Sequence, residues 1–373
     1  MNIYNISTKF KNETEKSAIG SVPIVDDGSF NSNSWDQFSI SLKRNINKGG
    51  FSSNVVVSTY SINDYAGFSY IGGVISIDGS IHFVPHAADN VQKISKDGNI
   101  STYSLIYTTS SSYAGGVLDK NGNIHLIPLS AQVGQKISSV GVVSTYSLVY
   151  TTNLAYAGGI LSANGEIHFI PDNAKVGQKI ESGGSVSTYS LVYTTSTLAY
   201  VGGVLSTSGE IHFVPYNARV GQKINTNGTV STYSLVYTAS TAYVGGVISS
   251  NGEIHFIPRS AAVGQKINQY GTISTYSLVY SGANSFYGGV MASNGDIHFV
   301  PLSSPVGQKI NSKGVVSTYN LIYTTSFAYA GGILDQDGNV HFIPASASVG
   351  QKILSSNSSF NKATILSPFL NKF

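Results

Sequence analysis

The chain is predicted to be all-β, a closed ring of seven four-stranded antiparallel blades. Three observations carry that prediction. First, the stretch Tyr156-Ala-Gly-Gly-Ile-Leu-Ser-Ala-Asn-Gly-Glu-Ile-His-Phe-Ile-Pro171 recurs in variants seven times, placing His82, His125, His168, His212, His255, His298 and His341 at steps of 43, 43, 44, 43, 43 and 43 residues. A period this strict means one supersecondary unit reused. Second, each unit contains four short strand-like runs and no helical period. Third, the seven Ser-Thr-Tyr runs and the seven Gly-Gln-Lys or Val-Gln-Lys runs balance only if the first strand of the array completes the last blade.

Residues 1–54 lie outside the repeat and read as a polar extension. Trp35, the only tryptophan, precedes Phe38, Ile40 and Leu42 at strand spacing, which suggests an extra strand or arm, with a lid over a binding face as the alternative. The array spans 55–354, and 355–373 form a tail.

One unit serves for all. Residues 157–162 form the first run, and Asn164-Gly165 then gives the two-residue hairpin signal. The second run, 166–170, ends at Pro171, and a proline stands there in every copy. Proline withholds a ladder donor and so ends a strand. The third run is 176–180, Gly183-Gly184 turns the chain, and 186–193 form the fourth run. The Gly-Gly doublet belongs where the blades converge, because glycine permits close backbone approach. The Tyr-rich fourth run then takes the wide outer edge. On this ordering an outer strand at 57–62 closes a last blade whose three inner strands lie within 329–353.

The architecture is that of a seven-bladed β-propeller, and the Gly-Gly doublets with nearby aromatics loosely resemble the kelch group. The tryptophan expected of kelch blades is missing from every repeat, and so are the Gly-His and Trp-Asp marks of WD40 blades. The resemblance covers residues 55–354 and implies a fold, not an activity.

Composition narrows the function. Charged residues make up 10% of the 373, against about 25% in ordinary soluble domains. The net charge is +3, with no basic cluster, which argues against nucleic acid. Cysteine is absent, so disulfides and thiolate metal sites are excluded. No run of 18 apolar residues and no apolar leader core are present, so neither a membrane-spanning helix nor a Sec-type signal is expected. No cofactor or metal is expected.

The seven histidines read as structural, hydrogen-bonded to Ser, Thr or Tyr. A ring of second-strand positions holds them too far apart for a shared metal, and no carboxylate recurs beside them. The seven recurring lysines face Glu166, Glu210, Glu253 and Asp296 as partners on the neighbouring strand. Tyr189, Leu191 and Tyr193 share a strand face and read as packing residues; Tyr156, near the axis, is a candidate for stacking on a sugar. Asp119-Lys-Asn-Gly122 and Asp335-Gln-Asp-Gly338 resemble the opening of a calcium loop but lack its late Glu, so they read as hairpin turns.

The copies differ most just after the proline, at His86, Leu129, Asp172, Tyr216, Arg259, Leu302 and Ala345, and three places on, where Lys175 and Arg219 stand. The links between blades vary too, and these two loops share one face of the disc. Rigid scaffolds often carry function on such loops. The leading expectation is therefore a non-catalytic scaffold that presents its variable loops to a protein or carbohydrate. An enzyme at the axial mouth and a purely structural assembly repeat are the alternatives.

Overall fold

A computed structural model describes residues 55–63 and 67–354; the predicted Trp35 arm and the C-terminal tail lie outside the described residues. Seven separate four-stranded antiparallel sheets follow one another around an axis. Blade 3 is typical, with strands Tyr156–Leu161, Ile167–Pro171, Val176–Ile180 and Val186–Ser190 running from axis to rim. Blade 7 contributes Tyr329–Leu334, Val340–Pro344 and Val349–Leu354, and its outer strand is Val56–Ser61, paired residue for residue from Val56 opposite Leu354 to Ser61 opposite Val349. The closure read from the repeat count is the closure observed. It covers the edge that Val349–Leu354 would otherwise expose. Among the described residues no helix is long and apolar enough to cross a membrane.

The glycine doublet does two jobs. Its first member takes a left-handed φ, +93° at Gly158, and the register shifts there by a bulge between Tyr156 and Gly159. These first glycines meet across the axis: a Cβ on Gly331 would come within 2.7 Å of the Cα of Gly72, which is the ring-closing contact. The second member lies against the preceding blade, where a Cβ on Gly159 would meet Ile127 at 2.6 Å. Each inter-blade core then combines side chains of two blades. Tyr156, Ile167, Phe169 and Ile180 pack on Val117 and Ile127, and Tyr146, Leu148 and Tyr150 cover the outside. At about 1.5–3 kcal/mol per large buried side chain, these cores are the main stabilising term.

Two local expectations need correction. Asn164-Gly165 is not a two-residue hairpin loop, which would need positive φ at both central residues. Only Gly165 has it; the Ser162 N–H bonds to the Glu166 carbonyl at 2.8 Å and the Gly165 N–H to the Ser162 carbonyl at 3.0 Å. The loop is therefore a longer one, with glycine in the left-handed position that follows the turn. The fourth strand also stops at Ser190 rather than 193. Its next two free N–H groups leave the sheet: Val192 and Tyr193 both donate to Oε1 of Gln222 in the following blade, at 3.0 and 2.7 Å.

That glutamine is the clamp between blades. Gln135, Gln178, Gln222, Gln265, Gln308 and Gln351 are fully buried, and each accepts two backbone N–H groups from the link leaving the preceding blade. Gln92 accepts from Asn63, just after the closing strand, so the clamp also spans the ring junction. The glycine before it is explained by the tyrosine opposite. Gly177 pairs with Tyr189, whose ring lies over it so closely that a Cβ would meet Cε2 at 2.2 Å. The ring thereby reaches toward His168, 5.6 Å away centroid to centroid.

Candidate functional site

The two faces of the disc are built differently. On one face lie the hairpins between first and second strands and the turns between third and fourth. On the other lie the post-proline loops and the links between blades.

The hairpin face gathers the recurring polar residues. His82, His212 and His298 pair through Nδ1 with Tyr103, Tyr233 and Tyr319 at 2.7, 3.2 and 3.2 Å, partners of the kind the sequence suggested. The expectation that no carboxylate recurs beside the histidine is wrong. Asp119, Glu166, Glu210, Glu253 and Asp335 lie 3.2, 3.4, 3.7, 3.8 and 2.9 Å from the Nε2 of their blade's histidine. Asp78 reaches His82 through the Ser76 hydroxyl, and Asp296 pairs with Lys309 at 2.7 Å. Each blade thus supplies one hairpin carboxylate, but from a position six, four or two residues before the histidine. That drift hid it from a register-by-register comparison. Lys179, Lys223 and Lys266 pair with Glu166, Glu210 and Glu253 at 2.6, 2.7 and 2.8 Å, as read from the sequence.

The pairing is partial: the Nδ1 atoms of His125, His168, His255 and His341 and the hydroxyls of Tyr60, Tyr146, Tyr189 and Tyr276 have no hydrogen-bond partner. Burial holds His82, His168, His212 and His255 down to about 4 and His298 to about 3, so they are neutral imidazoles at pH 7. Burial acts against ionisation of Glu166, but the hydrogen bond from Lys179 outweighs it with others and carries the carboxyl to about 2. The Asp119 and Asp335 segments are hairpin turns: Oδ1 of Asp119 accepts from the N–H groups of Asn121 and Asn123, and Oδ1 of Asp335 from Asp337 and Asn339. Among the described residues no group of three or more His, Asp or Glu could hold a metal ion. Clefts open between blades on this face, one of about 220 Å³ beside His125, Lys136 and Tyr146.

The loop face is held by backbone instead. The N–H groups of Ser69, Ser112, Ala155, Ala199, Ala242, Ser285 and Ala328 donate to the carbonyls of Ala345, His86, Leu129, Asp172, Tyr216, Arg259 and Leu302 at 2.6–3.2 Å. The post-proline N–H groups donate back to the carbonyl of their own blade's link at 2.8–3.0 Å. Fourteen hydrogen bonds so run around the mouth as a closed circuit. The residue before each link donor sits in the left-handed region: Phe68, Ser111, Leu154, Leu198, Thr241, Asn284 and Phe327, with φ from 50° to 60°. Such strain costs about 1–3 kcal/mol per residue. Its recurrence in all seven links shows that the circuit requires it. Because five residue types share those seven places, no sequence signal marks the position.

The candidate residues divide in two. His86, Leu129, Asp172, Tyr216, Arg259 and Leu302 occupy one ring position around the mouth, where Leu129, Asp172, Tyr216 and Leu302 are buried and His86 and Arg259 half-buried. Lys175 and Arg219 stand outside that ring and are exposed, with the Lys175 ammonium donating to the Thr194 carbonyl at 2.6 Å. Below the ring, Ile71, Ala114, Ala157, Val201 and Tyr287 surround the axis with the glycines, leaving about 20 Å³, room for little more than a water. The axis is therefore a floor and not a channel. Tyr156 does not present a face to any ligand: it is fully buried, edge-on to Phe169 and Tyr150.

The mouth is chemically lopsided. Toward blades 7, 1 and 2 it is mainly apolar, with Ile71, Leu129, Ala345, Phe68 and Leu154 in one cluster and His86 edge-on to Phe68. Toward blades 3 to 5 it is polar. Arg259 lies 5.1 Å from the Tyr216 ring centroid and donates from Nη1 to its hydroxyl. Tyr287 lies within electrostatic reach of Arg259, Asp172 and Tyr216. Burial pushes the Asp172 carboxyl up to about 8.

No known family model matches the sequence, and no curated protein does. Solved structures match the fold. A streptogramin B lyase superposes with TM-score 0.71 at 20% identity, covering 80% of this chain and 97% of that one. A catalytically inactive variant of virginiamycin B lyase from Staphylococcus aureus, with quinupristin, gives 0.72 at 17%, covering 81% and 100%. YCF48 bound to D1 peptide gives 0.60 at 8%, covering 82% and 98%. At these identities the likeness is one of fold.

Proposed function

We propose that the protein is a non-catalytic binding scaffold whose loop-face mouth takes a segment of another protein. One observation carries this reading. A single ring position bears His, Leu, Asp, Tyr, Arg, Leu and Ala in turn, while the backbone circuit beneath it is the same in all seven blades. Side chains there are free to vary because they do not hold the ring together. The hairpin face is the opposite case, with recurring side chains committed to one another. A protein segment suits a mouth with one apolar and one polar side, and a peptide-bound propeller is among the similar folds. The repeat tyrosines spend their ring faces on packing, which leaves a carbohydrate little to stack on.

Selection of a peptide library on the full chain tests the reading. Binders should emerge, weaken with Lys175→Glu and Arg219→Glu, and ignore Lys120→Glu on the hairpin face. No binders from folded protein, or binders that respond only to Lys120→Glu, would contradict it. A second reading, an enzyme at the same mouth, draws on the buried acid Asp172. Turnover of a bound peptide, abolished by Asp172→Asn, would favour it.

A further inference from the structure

Most buried polar atoms without a hydrogen-bond partner sit at repeat positions: the tyrosine hydroxyls, histidine Nδ1 and glutamine Nε2 atoms of several blades. Among the described residues, His86 Nδ1, Asp172 Oδ1 and Arg259 Nε do not. Each occurs in one blade only, and all three belong to the ring around the loop-face mouth. Asp172 is only 5% exposed. A buried polar group left unpaired costs about 1–3 kcal/mol. The fold tolerates three of them around one opening, at positions that no other blade repeats.

The guanidinium is oriented. Nη1 is committed to the Tyr216 hydroxyl, and the arginine packs over that ring, so Nε stays without a partner while the plane of the fork is fixed. The edge that carries Nε is the one a carboxylate engages with two parallel hydrogen bonds. Its present partner is a neutral phenol, and among the described residues no carboxylate pairs with it. We propose that the loop-face mouth binds a carboxylate carried on an apolar body, with Arg259 as the anchor, Tyr216 as its brace and the Asp172 carboxyl as a further hydrogen-bond donor. The apolar body lies toward Ile71, Leu129, Phe68 and Leu154. A free peptide C-terminus ending in an apolar residue has this chemistry, and so has a fatty or aromatic acid.

The charged and titratable groups about Asp172 are Tyr216, Tyr287 and Arg259. Burial keeps the carboxyl protonated to about pH 8, so at neutral pH it donates to a ligand oxygen; above that it ionises and repels a carboxylate. Affinity is therefore greatest at neutral pH and falls as pH rises through about 8. This rests on the loop-face reading, but it can fail separately. The test is titration calorimetry on the full chain with octanoate and with a hexapeptide ending in leucine, as free acid and as C-terminal amide. A free-acid probe should bind, and the amide should bind at least tenfold more weakly. Arg259→Lys should lose at least tenfold, because a point charge cannot replace the fork. Lys120→Arg, on the hairpin face, should change nothing. Asp172→Asn should keep binding and abolish the fall between pH 7 and pH 9.5. Equal binding of acid and amide, unchanged affinity in Arg259→Lys, or no binding of any free acid would overturn the proposal. The acid–amide comparison needs no variant, so it decides even if a substituted chain misfolds. Peptides that bind the mouth regardless of their C-terminus would leave the scaffold reading standing and remove this one. Octanoate bound through Arg259, with no peptide bound, would do the reverse.

Discussion

The hairpin face and the loop face solve the same assembly problem in opposite ways. On the hairpin face the side chains recur: histidine, tyrosine, lysine and a carboxylate in every blade, paired with one another in varying combinations. On the loop face the backbone recurs and the side chains do not. The charges follow the same division. The repeat lysines and their acids lie on the hairpin side, and the described loop face carries only Asp89, Asp172, Lys175, Arg219 and Arg259. Where side chains form the joints, a copied repeat cannot drift. Where N–H and C=O groups form them, it can, and the face becomes available for recognition.

The contrast can be broken most forcibly at the ring itself. Removing residues 1–63 deletes the outer strand of blade 7 and Asn63, whose N–H reaches Gln92. The expected result is a melting temperature at least about 10 °C lower, or no cooperative transition, since every blade depends on two neighbours. An unchanged melt would refute closure as a stabilising device.

The hairpin face should also fail in acid. His82, His168, His212, His255 and His298 titrate below their unfolded value of about 6.5, so the unfolded chain binds protons that the native one excludes. The stability they contribute is complete above that value and is lost as pH falls through about 4. Urea midpoints should hold from pH 8 to 7 and decline steadily from 6.5 to 4. A midpoint flat across that window would show that the imidazoles are not buried as described.

Single joints come next. Gln222→Ala strands the N–H groups of Val192 and Tyr193 and should cost about 3 kcal/mol. Gly177→Ala forces Tyr189 off the sheet and should cost about 1–3 kcal/mol. Arg219→Ala, on the exposed loop rim, should stay within about 0.5 kcal/mol. Chemical denaturation separates the three, and a reversed order would mean that loop-face side chains carry structural weight.

Much of this was legible in the sequence, because a repeat exposes whatever keeps its register. The period, the axial glycines, the proline stops and the borrowed first strand all recur at fixed spacing. The Lys179–Glu166 pair did too. Three features were not legible, each for a physical reason. The Gln222 clamp sits in a motif whose lysine drew attention by its charge, and nothing in a glutamine says that its partners are backbone N–H groups of another blade. The hairpin carboxylate moves from Asp119 to Glu166 to Asp78 in different registers, since a short loop can deliver one carboxyl to one place from several positions. The left-handed residue at Leu154, Leu198 and Thr241 leaves no compositional mark, because the backbone circuit sets its conformation and its side chain points elsewhere than into a joint. The post-proline ring was chosen for its variation alone; the structure adds that its members surround one opening.

If the loop-face polar groups are held for a ligand and not for the fold, removing them should not weaken the fold. Thermal denaturation of a chain carrying both Asp172→Leu and Arg259→Met tests this most directly. The two substitutions erase two buried groups that lack partners, so the account predicts a melting temperature equal to or above that of the parent. A fall of more than about 5 °C would contradict it, by showing that the mouth's charges hold the ring together.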